Sequence, residues 1–418
     1  LQGQDHHVLP LYEMLLNDTL QIALAAAPTD ERPVCLAPAQ LQPVGFGPHE
    51  ALLPYGPRSF PGYQLLTEYF AYPFKFLFVD LTGIAARRLD RCGSQLNIYF
   101  YFDRTAPELE NAVSPETLRL GCTPIINLFR KRAEPIKLTH TVSRYPVIPD
   151  ARRRTDLEVY SVDRVSSTSE EGDILEYHPL FAITDGAGRE KQRTFWTSSR
   201  QAAETAARTP DKGTEVSLSI VDLDLNPYQR ADRTLMLETT CLNRDLPGAL
   251  QRPRAELVQG GPFQAVDLLA GLTSTVRPTA LRRREWALLS HLCLNHLSIS
   301  NQAADGTEDP LSVATLRRIL ELYDFSDTDA AKRKILGLVS VGHQRVVGRV
   351  GGPGGGFCRG VDATIVFDED KFPEHGIFLF ASVLERFLGL YCSLNSFSRM
   401  TARIQQRDGV LRRWEPRT

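Results

Sequence analysis

Hydrophobic positions near the start of the chain recur at the spacing of helices. Leu66, Tyr69 and Phe70 lie three and four residues apart, which predicts a buried helical stripe. We expect this helix to end before Pro73, because proline lacks a backbone donor and clashes with the preceding turn. The apolar residues over 11–16 predict a second, shorter helix.

Aromatic and β-branched residues then alternate with a period of two. Residues 74–79 (FKFLFV) and 96–102 (LNIYFYF) follow this pattern, which is typical of strands with one buried face. The aromatic residues over 60–78 are open to two interpretations. They form part of a core, or they belong to an apolar assembly surface, because long-lived interfaces are more apolar than ordinary surface.

The middle of the chain favours strands with irregular connections. Residues 118–177 are rich in β-formers and are interrupted by prolines, and the strand-like run 157–162 lies among them. Two further strands are predicted over 215–225 and 234–242. The Ala-rich and polar stretch 201–213 indicates an exposed linker or loop.

The last third of the chain returns to helical spacing. One predicted helix carries an apolar stripe made of Trp286, Leu289, Leu292, Cys293, His296 and Leu297. A second begins at Asp309 and Pro310, an N-cap and a preset first position, and carries Leu316, Ile319, Leu320 and Tyr323. A final helix carries Phe380, Val383, Leu384, Phe387, Leu388 and Tyr391, with Glu385 expected on its solvent face.

A hairpin is predicted before that final helix. Residues 339–350 and 361–367 form its two arms, and the second arm has Val361, Ala363, Ile365 and Phe367 on one face.

These elements together predict an α+β fold. We expect a β-rich, multi-domain chain of antiparallel sheets with packed helices. The predicted modules are a mixed α/β module over 1–110, a β-rich module over 111–205, a β connection over 206–270, and a helical and hairpin module over 271–418.

Composition predicts a soluble globular protein with no membrane span and no global attraction to nucleic acid, although a local basic patch is left open. Of the 418 residues, 42% are hydrophobic and 23% charged, and the net charge of -2 creates no basic field for nucleic acid. We expect no membrane span, because apolar runs such as 69–79 are shorter than the ~20 residues that a bilayer requires.

The N-terminus and the cysteines predict a reducing compartment. Leu1 opens the chain without a basic and apolar leader, so we expect no signal peptide, and the sequence is expected to begin inside a longer protein. Seven cysteines are scattered singly, with no CxxC pair. This pattern favours the cytoplasm, with the cysteines as small core residues.

A glycine-rich stretch raises the question of a nucleotide site. Residues 348–360 (GRVGGPGGGFCRG) contain seven glycines. A phosphate loop needs a helix after its last glycine, and a P-loop adds Lys and then Ser or Thr. Here Phe357, Cys358 and Arg359 follow, and then a strand, so the stretch predicts a hairpin loop. A nucleotide-dependent enzyme that uses this loop is the less favoured alternative.

Other candidate chemical groups have ordinary structural explanations. His291 and His296 lie five residues apart on one predicted helix, whereas metal ligands on one face need a spacing of three or four. Residues 324–329 resemble a calcium loop but lack its glycine and its bidentate glutamate, so we expect an interhelical turn capped by Asp327 or Thr328.

The charged clusters also lack a catalytic pattern. Asp222 and Asp224 lie two residues apart on a predicted strand, which is typical of a solvent face. The basic clusters over 152–154 and 282–284 indicate solvated faces or contacts with an acidic protein surface. We therefore expect no catalytic residue, no cofactor and no metal site.

Seven long blocks of the sequence are distinctive as a set. They are ALLPYGPRSFPGYQLLTEYFAYPFKFLFVDL (51–81), CTPIINLFRKRAEPIKLTH (122–140), EVYSVDRV (158–165), CLNRDLPGAL (241–250), WALLSHLCLNHLSI (286–299), FCRGVDATIVFDEDKF (357–372) and FLFASVLERFLGLYCSLNSF (378–397). In this order they resemble one protein family, TssF (also VasA or ImpG), the type VI secretion baseplate subunits.

The resemblance implies a structural protein with defined partners. It implies a wedge in which two TssF copies join one TssG, with TssE and TssK, around the VgrG spike, and on which the sheath grows. It also implies a fold similar to a phage baseplate wedge, and a location at the cytoplasmic face of the inner membrane. The alternative is a baseplate or tail protein of a phage or another contractile injection system. Family members are usually longer at the N-terminus.

Overall fold

The computed structural model describes the chain in two compact units. Unit 1 comprises Leu1–Ile125 and Val276–Thr418, and unit 2 comprises Ile126–Thr275. The described residues are all except 57–58, 85–89, 91, 94, 140, 169–173, 181–193, 204–212, 223–232, 251–254, 264, 278–288, 290–309, 351–355, 374, 391, 393–395 and 418. The α+β class with mainly antiparallel sheets is confirmed. The division into four modules stays a prediction.

The helices of unit 1 gather around one very apolar helix. The described helices are α1 (Asp5–Asn17), α2 (Pro61–Ala71), α3 (Pro107–Glu110), α4 (Pro310–Tyr323), α5 (Asp329–Leu336) and α6 (Ile377–Leu390). Nearly every residue of the first eleven in α6 is buried, so this helix lies inside the main core. The ring of Tyr69 in α2 stacks on Phe380 in α6, with 5.5 Å between the ring centroids.

Two small sheets belong to the N-terminal part of unit 1. Their strands are β1 (Thr19–Ala25), β2 (Val34–Leu36), β3 (Leu41–Pro43), β4 (Val79–Leu81) and β5 (Asn97–Phe102). Three strands pair in the order β2-β1-β5, and β3 pairs with β4. Ile22 faces Phe100 and Leu24 faces Ile98, and the buried members of this face join a second core cluster with α1.

Unit 2 is built on one eight-stranded sheet. Its strands are β6 (Phe129–Arg132), β7 (Ile136–Lys137), β8 (Tyr145–Pro146), β9 (Glu158–Thr168), β10 (Ile174–Pro179), β11 (Thr194–Ala202), β12 (Thr214–Asp222) and β13 (Thr234–Leu242). They follow the order β6-β13-β9-β10-β11-β12-β8, and β7 also pairs with β13. Val165, Leu218 and Leu235 are fully buried members of its core.

A four-stranded sheet completes unit 1. It contains β14 (Leu338–Arg349), β15 (Phe357–Phe367), β16 (Ser396–Ile404) and β17 (Arg412–Arg413) in this order. β14 and β15 form the predicted antiparallel hairpin, and the face with Ala363, Ile365 and Phe367 is buried as expected. β15 and β16 run parallel, and α6 connects them as a crossover helix.

The predicted strand over 74–79 is wrong. Pro73–Phe76 forms a short 3-10 helix, and the next strand begins only at Val79. Phe74 and Phe76 would share one face of a strand. Instead Phe76 is buried while Phe74 is exposed, and Lys75 between them is buried too. Its ammonium pairs with the buried carboxylate of Glu68.

The predicted solvent position of Glu385 is also wrong. Its exposed fraction is 2%, and its carboxylate accepts a hydrogen bond from Arg417 Nε. A helix at the centre of a core has no solvent face of its own, so the polar residue was buried with a distant partner.

Some predictions fall on parts of the chain that are not described. The apolar stripe over 286–297 lies outside the described residues except for Leu289, which is exposed. In the predicted linker over 201–213, residues 201–202 belong to β11, and 204–212 lie outside the described part. Residues 223–225 of one predicted strand and Tyr391 of the final helix also lie outside the described part. The remaining predicted helices and strands match described elements.

Candidate assembly surface

A polar cleft of about 630 Å³ lies in unit 1, between the end of α1 and the turn that joins β16 to β17. Arg104 crosses it, and its guanidinium donates to Asp18 Oδ2 at 2.5 Å and to Glu13 Oε1 at 2.9 Å. Burial raises the pKa of Glu13, against the opposing effect of Arg104. Asn17 donates to the Leu411 carbonyl at 3.2 Å. These contacts tie α1 to the C-terminal turn.

The other arginines of the cleft are also held by groups of the fold. Arg412 Nη1 donates to Asn17 Oδ1 at 3.2 Å, and Arg413 Nη2 lies 3.2 Å from Asp362 Oδ2. Arg407 forms two hydrogen bonds to the Glu369 carboxylate. The hydrogen bonds and ion pairs of the cleft therefore hold structural elements of unit 1 together.

A buried ion pair holds the loop before α2. Glu68 Oε1 accepts hydrogen bonds from the N–H groups of Leu52 at 2.9 Å and Leu53 at 2.8 Å, and from Gln64. Glu68 Oε2 binds Lys75 Nζ, which also lies 5.0 Å from the centre of the Phe76 ring. The carboxylate therefore connects three segments, and its role is structural.

The predicted interhelical turn over 324–329 is confirmed. Thr328 caps α5, since its hydroxyl accepts the N–H of Ala331 at 3.2 Å. Asp324 Oδ1 accepts the N–H of Asp327 at 3.1 Å, and Asp327 adopts a positive φ of 49°. Burial raises the pKa of Asp324, as expected for a carboxyl group enclosed in a turn. The carboxylates of this stretch thus shape the turn.

Only one of the two basic clusters lies in the described part of the chain. Arg152, Arg153 and Arg154 are exposed on unit 2, where Arg153 lies 3.4 Å from Asp156 Oδ2 and Arg154 lies 3.8 Å from Glu215. The cluster over 282–284 and both His291 and His296 lie outside the described residues, as does Asp224. Asp222 ends β12.

The glycine stretch connects two paired strands. Arg349 of β14 faces Phe357 of β15, and the Val350 N–H donates to the Gly356 carbonyl at 3.1 Å. Residues 351–355 lie outside the described part. The element that follows is a strand, which agrees with the predicted hairpin loop.

The described part of the chain offers neither a metal-binding cluster nor a membrane-spanning helix. No group of three or more His, Cys, Asp or Glu side chains there is arranged to hold a metal ion. No described helix combines the length and the hydropathy needed to cross a membrane.

Unit 2 exposes an apolar segment that follows β13. We call residues 246–269 the apolar segment, and its exposed large side chains are Leu246, Leu250, Leu257, Val258, Phe263, Val266 and Leu269. The Thr275 hydroxyl donates to the Arg244 carbonyl, so the two ends of this connection meet although they lie 31 positions apart. A group of exposed apolar side chains like this one is typical of a surface that a partner covers.

The side chains at the tip of the apolar segment are the most open. Val258 has an exposed fraction of 102%, and Phe263 is also exposed. Leu257 and Phe263 approach each other across Gly261, where a Cβ would lie 3.2 Å and 3.1 Å from them. The sequence did not predict this surface, because its apolar residues between glycines fit neither a helical nor a strand period.

Unit 1 also exposes apolar residues, and two groups of them lie in its N-terminal part. Leu120 has an exposed fraction of 99% in the irregular stretch before unit 2, and Leu118 and Ile125 are exposed beside it. On the outer strand β5, Tyr99 and Tyr101 share a face and are both exposed. Most of the aromatic residues over 60–78 are instead at least partly buried, so the core interpretation accounts for them better.

Comparisons with known proteins agree on one family. The family model "Type VI secretion system, TssF" matches residues 1–418. The type VI secretion system component TssF1 of Pseudomonas aeruginosa is 35% identical over 432 residues, which cover 99% of this chain and 67% of the relative.

Two solved structures have similar folds. A chain of the type VI secretion system TssK-TssF-TssG baseplate subcomplex, solved by cryo-electron microscopy, matches with a TM-score of 0.75 and 25% identity, over 99% of this chain and 73% of that one. A chain of the baseplate complex from the type VI secretion system matches with a TM-score of 0.50 and 25% identity, over 72% and 50% of the two chains. The chain therefore belongs to the TssF family of type VI secretion system proteins.

Proposed function

We propose that this protein is a structural wedge subunit of a type VI secretion baseplate and that it assembles with TssG and TssK. The observation that carries the proposal is the family match along all 418 residues. The similar fold in a TssK-TssF-TssG subcomplex supports the same role. The subunit acts by occupying its place in the assembly rather than by catalytic turnover.

The exposed apolar surfaces support an assembly role. A stable interface usually buries about 800 Å² on each partner, and its centre is apolar. The apolar segment of unit 2 and the exposed residues around Leu120 in unit 1 are candidates for such centres. They belong to different units, and each is a candidate contact with a neighbouring subunit.

The finer arrangement belongs to the same proposal. Two copies of the subunit join one TssG, and the wedge also carries TssE. Wedges surround the VgrG spike, support the growing sheath, and sit at the cytoplasmic face of the inner membrane. These details come from the family resemblance.

Co-expression of the full-length protein with its cognate TssG tests the proposal. We expect a stable complex whose mass, measured by multi-angle light scattering or native mass spectrometry, corresponds to two copies of this protein and one TssG. Cells that lack the protein should build no extended sheath. Normal sheaths in the deletion strain would contradict the assembly role, and a stable complex of another composition would contradict only the stoichiometry.

A further inference from the structure

The β14–β15 hairpin is covered by the core along only half of its length. Near its base, Val341 faces Ile365, and both are buried. Farther out, the same face carries Arg345, Val347 and Arg349 on β14 and Phe357 and Arg359 on β15, and all five are exposed. Val347 and Phe357 have exposed fractions of 69% and 79%. We call these five residues the arm face.

The opposite face of the same part of the hairpin is covered. The ring of Phe397 on β16 lies over Gly348 and Gly360, where a Cβ would approach it to 2.8 Å and 2.5 Å. Phe397 itself is buried. The outer hairpin therefore has one face closed by the fold and one face open.

The arm face is cationic, with three arginine side chains among its five residues. Among the described residues, no carboxylate lies within ion-pairing distance of Arg345 or Arg359. The nearby carboxylate of Asp362 belongs to the covered face, where it binds Arg399 and Arg413. Two uncompensated guanidinium groups beside exposed apolar side chains are complementary to a surface that is acidic and partly apolar.

The backbone of β14 also has an open edge beside the arm face. Since the Val350 N–H donates to the Gly356 carbonyl at 3.1 Å, Val350 and Gly356 form a hydrogen-bonded pair. Such pairs alternate along an antiparallel ladder, so Arg345 and Val347 turn their N–H and C=O groups away from β15. No strand in the described part of the chain pairs with this outer edge. At the base of the strand, Arg317 donates to the Leu338 carbonyl at 2.6 Å.

We propose that the outer edge of β14 receives an added β-strand from an acidic protein segment. The backbone of that strand bonds to the outward groups of Arg345 and Val347. On the arm face, this strand places an acidic side chain beside Arg345 and an apolar side chain two residues farther along, beside Val347. Phe357 and Arg359 extend the contact on β15.

Site-specific crosslinking in the assembled baseplate identifies the occupant. A photo-crosslinking amino acid replaces Phe357 in the full-length protein, which is expressed in its own cells with all its partners, and the crosslinked peptide is sequenced by mass spectrometry. We expect a protein segment that alternates acidic and apolar residues. A crosslink to a basic segment, to nucleic acid or to lipid would overturn the proposal. The proposal would also fail if position 357 gave no crosslink while the same photo-crosslinking residue in place of Phe263 gave one.

One matched pair of variants separates strand addition from a general loss of structure. Val347→Pro removes an outward N–H that β15 does not use, whereas Val347→Ala keeps it. We expect the crosslink of the proline variant to fall about fivefold below that of the alanine variant, the factor of one lost hydrogen bond. Equal yields would exclude an added strand.

Charge reversal tests the acidic character of the partner. Arg345→Glu with Arg359→Glu should reduce the crosslink about tenfold or more. Arg403→Glu changes an exposed arginine of β16 on the other face of the sheet and should leave the yield unchanged. If the double variant still binds TssG with the same number of copies as the natural protein, the wedge role and the arm contact are separate. Equal yields in the double variant and Arg403→Glu would contradict the acidic partner.

Discussion

The ring of Phe397 occupies the space that a side chain would need at Gly360. A Cβ built on Gly360 would lie 2.5 Å from Phe397 Cε1, and one built on Gly348 would lie 2.8 Å from Phe397 Cζ. Both glycines have ordinary backbone angles in paired strands, so the reason for glycine here is the close approach of the ring.

Gly360→Ala should therefore destabilise unit 1. The added methyl group displaces a buried ring, and such overpacking costs about 1–3 kcal/mol. Chemical denaturation measures the change in the free energy of unfolding. Gly342→Ala is the matched control, because its Cβ would enter open space on the same sheet. We also expect Phe397→Leu to lessen the effect of Gly360→Ala, and purely additive effects would contradict the contact.

The buried pair of Lys75 and Glu68 leads to a second prediction. Lys75→Met leaves the Glu68 carboxylate buried without its cation, which should cost about 3–5 kcal/mol. The double change Lys75→Met with Glu68→Gln removes both charges and should be less destabilising than Lys75→Met alone. If thermal unfolding gave the reverse order, the charge pair would not be the reason for the instability.

An exposed pair provides the comparison for this effect. Arg164 Nη2 lies 2.8 Å from Glu176 Oε2 on neighbouring strands of unit 2, and both side chains are exposed. Water screens this pair, so Arg164→Met should leave the unfolding transition almost unchanged.

The buried face of α6 leads to a third prediction. Phe387 is fully buried, and Phe387→Ala should cost about 3–5 kcal/mol through lost burial and a residual cavity. Glu385→Ala removes the acceptor of Arg417 and should cost about 1–3 kcal/mol. A change at Glu385 as small as that of a surface residue would show that the pair with Arg417 contributes nothing to stability.

The protonation of Glu385 makes stability depend on pH. Burial raises the pKa of Glu385 above 4.5, against the opposing effect of Arg417. A carboxyl group with a raised pKa in the folded state contributes stability below its ordinary pKa and loses it as the pH rises through the raised value. The stability of the natural protein relative to Glu385→Gln should therefore decrease as the pH rises above about 4.5. A relative stability that increases with pH would contradict the raised pKa.

Sequence periodicity predicted the elements whose pattern is local. The helical spacing of Leu66 and Tyr69, and the alternation of Ala363 and Ile365, each reflect one buried face of one element. Lys75 and Glu385 were misplaced because their partners determine their burial, and the partner of Glu385 lies 32 positions away. A pattern along one segment contains no information about such pairs.

The candidate assembly surface was harder to predict than the core. The family resemblance indicated partners, but the apolar side chains of residues 246–269 have no period that marks them as exposed. Val258 and Phe263 resemble core residues in composition, and only the fold shows that nothing in the described part of unit 2 covers them. The aromatic residues over 60–78 were open to both interpretations for the same reason, since composition alone does not separate a core from an apolar surface.

The last prediction concerns the apolar segment of unit 2. Val258→Ser with Phe263→Ser changes side chains that are already exposed, so the free energy of unfolding should change by less than about 0.5 kcal/mol for each substitution. If a baseplate partner covers these side chains, the loss of apolar contact should weaken binding by about 2 kcal/mol or more, which is typical of a central contact.

Titration of the full-length variant with its cognate TssG and with TssK, each followed by calorimetry, measures the effect. Ile174→Thr is the matched control, since Ile174 is an exposed apolar residue on a strand of the same unit. We expect the double variant to bind at least one of the two partners about thirtyfold more weakly, and the control to bind as the natural protein does. Unchanged binding of both partners by a folded double variant would show that this segment is not part of either interface, because an exposed apolar centre that a partner buries must contribute to affinity.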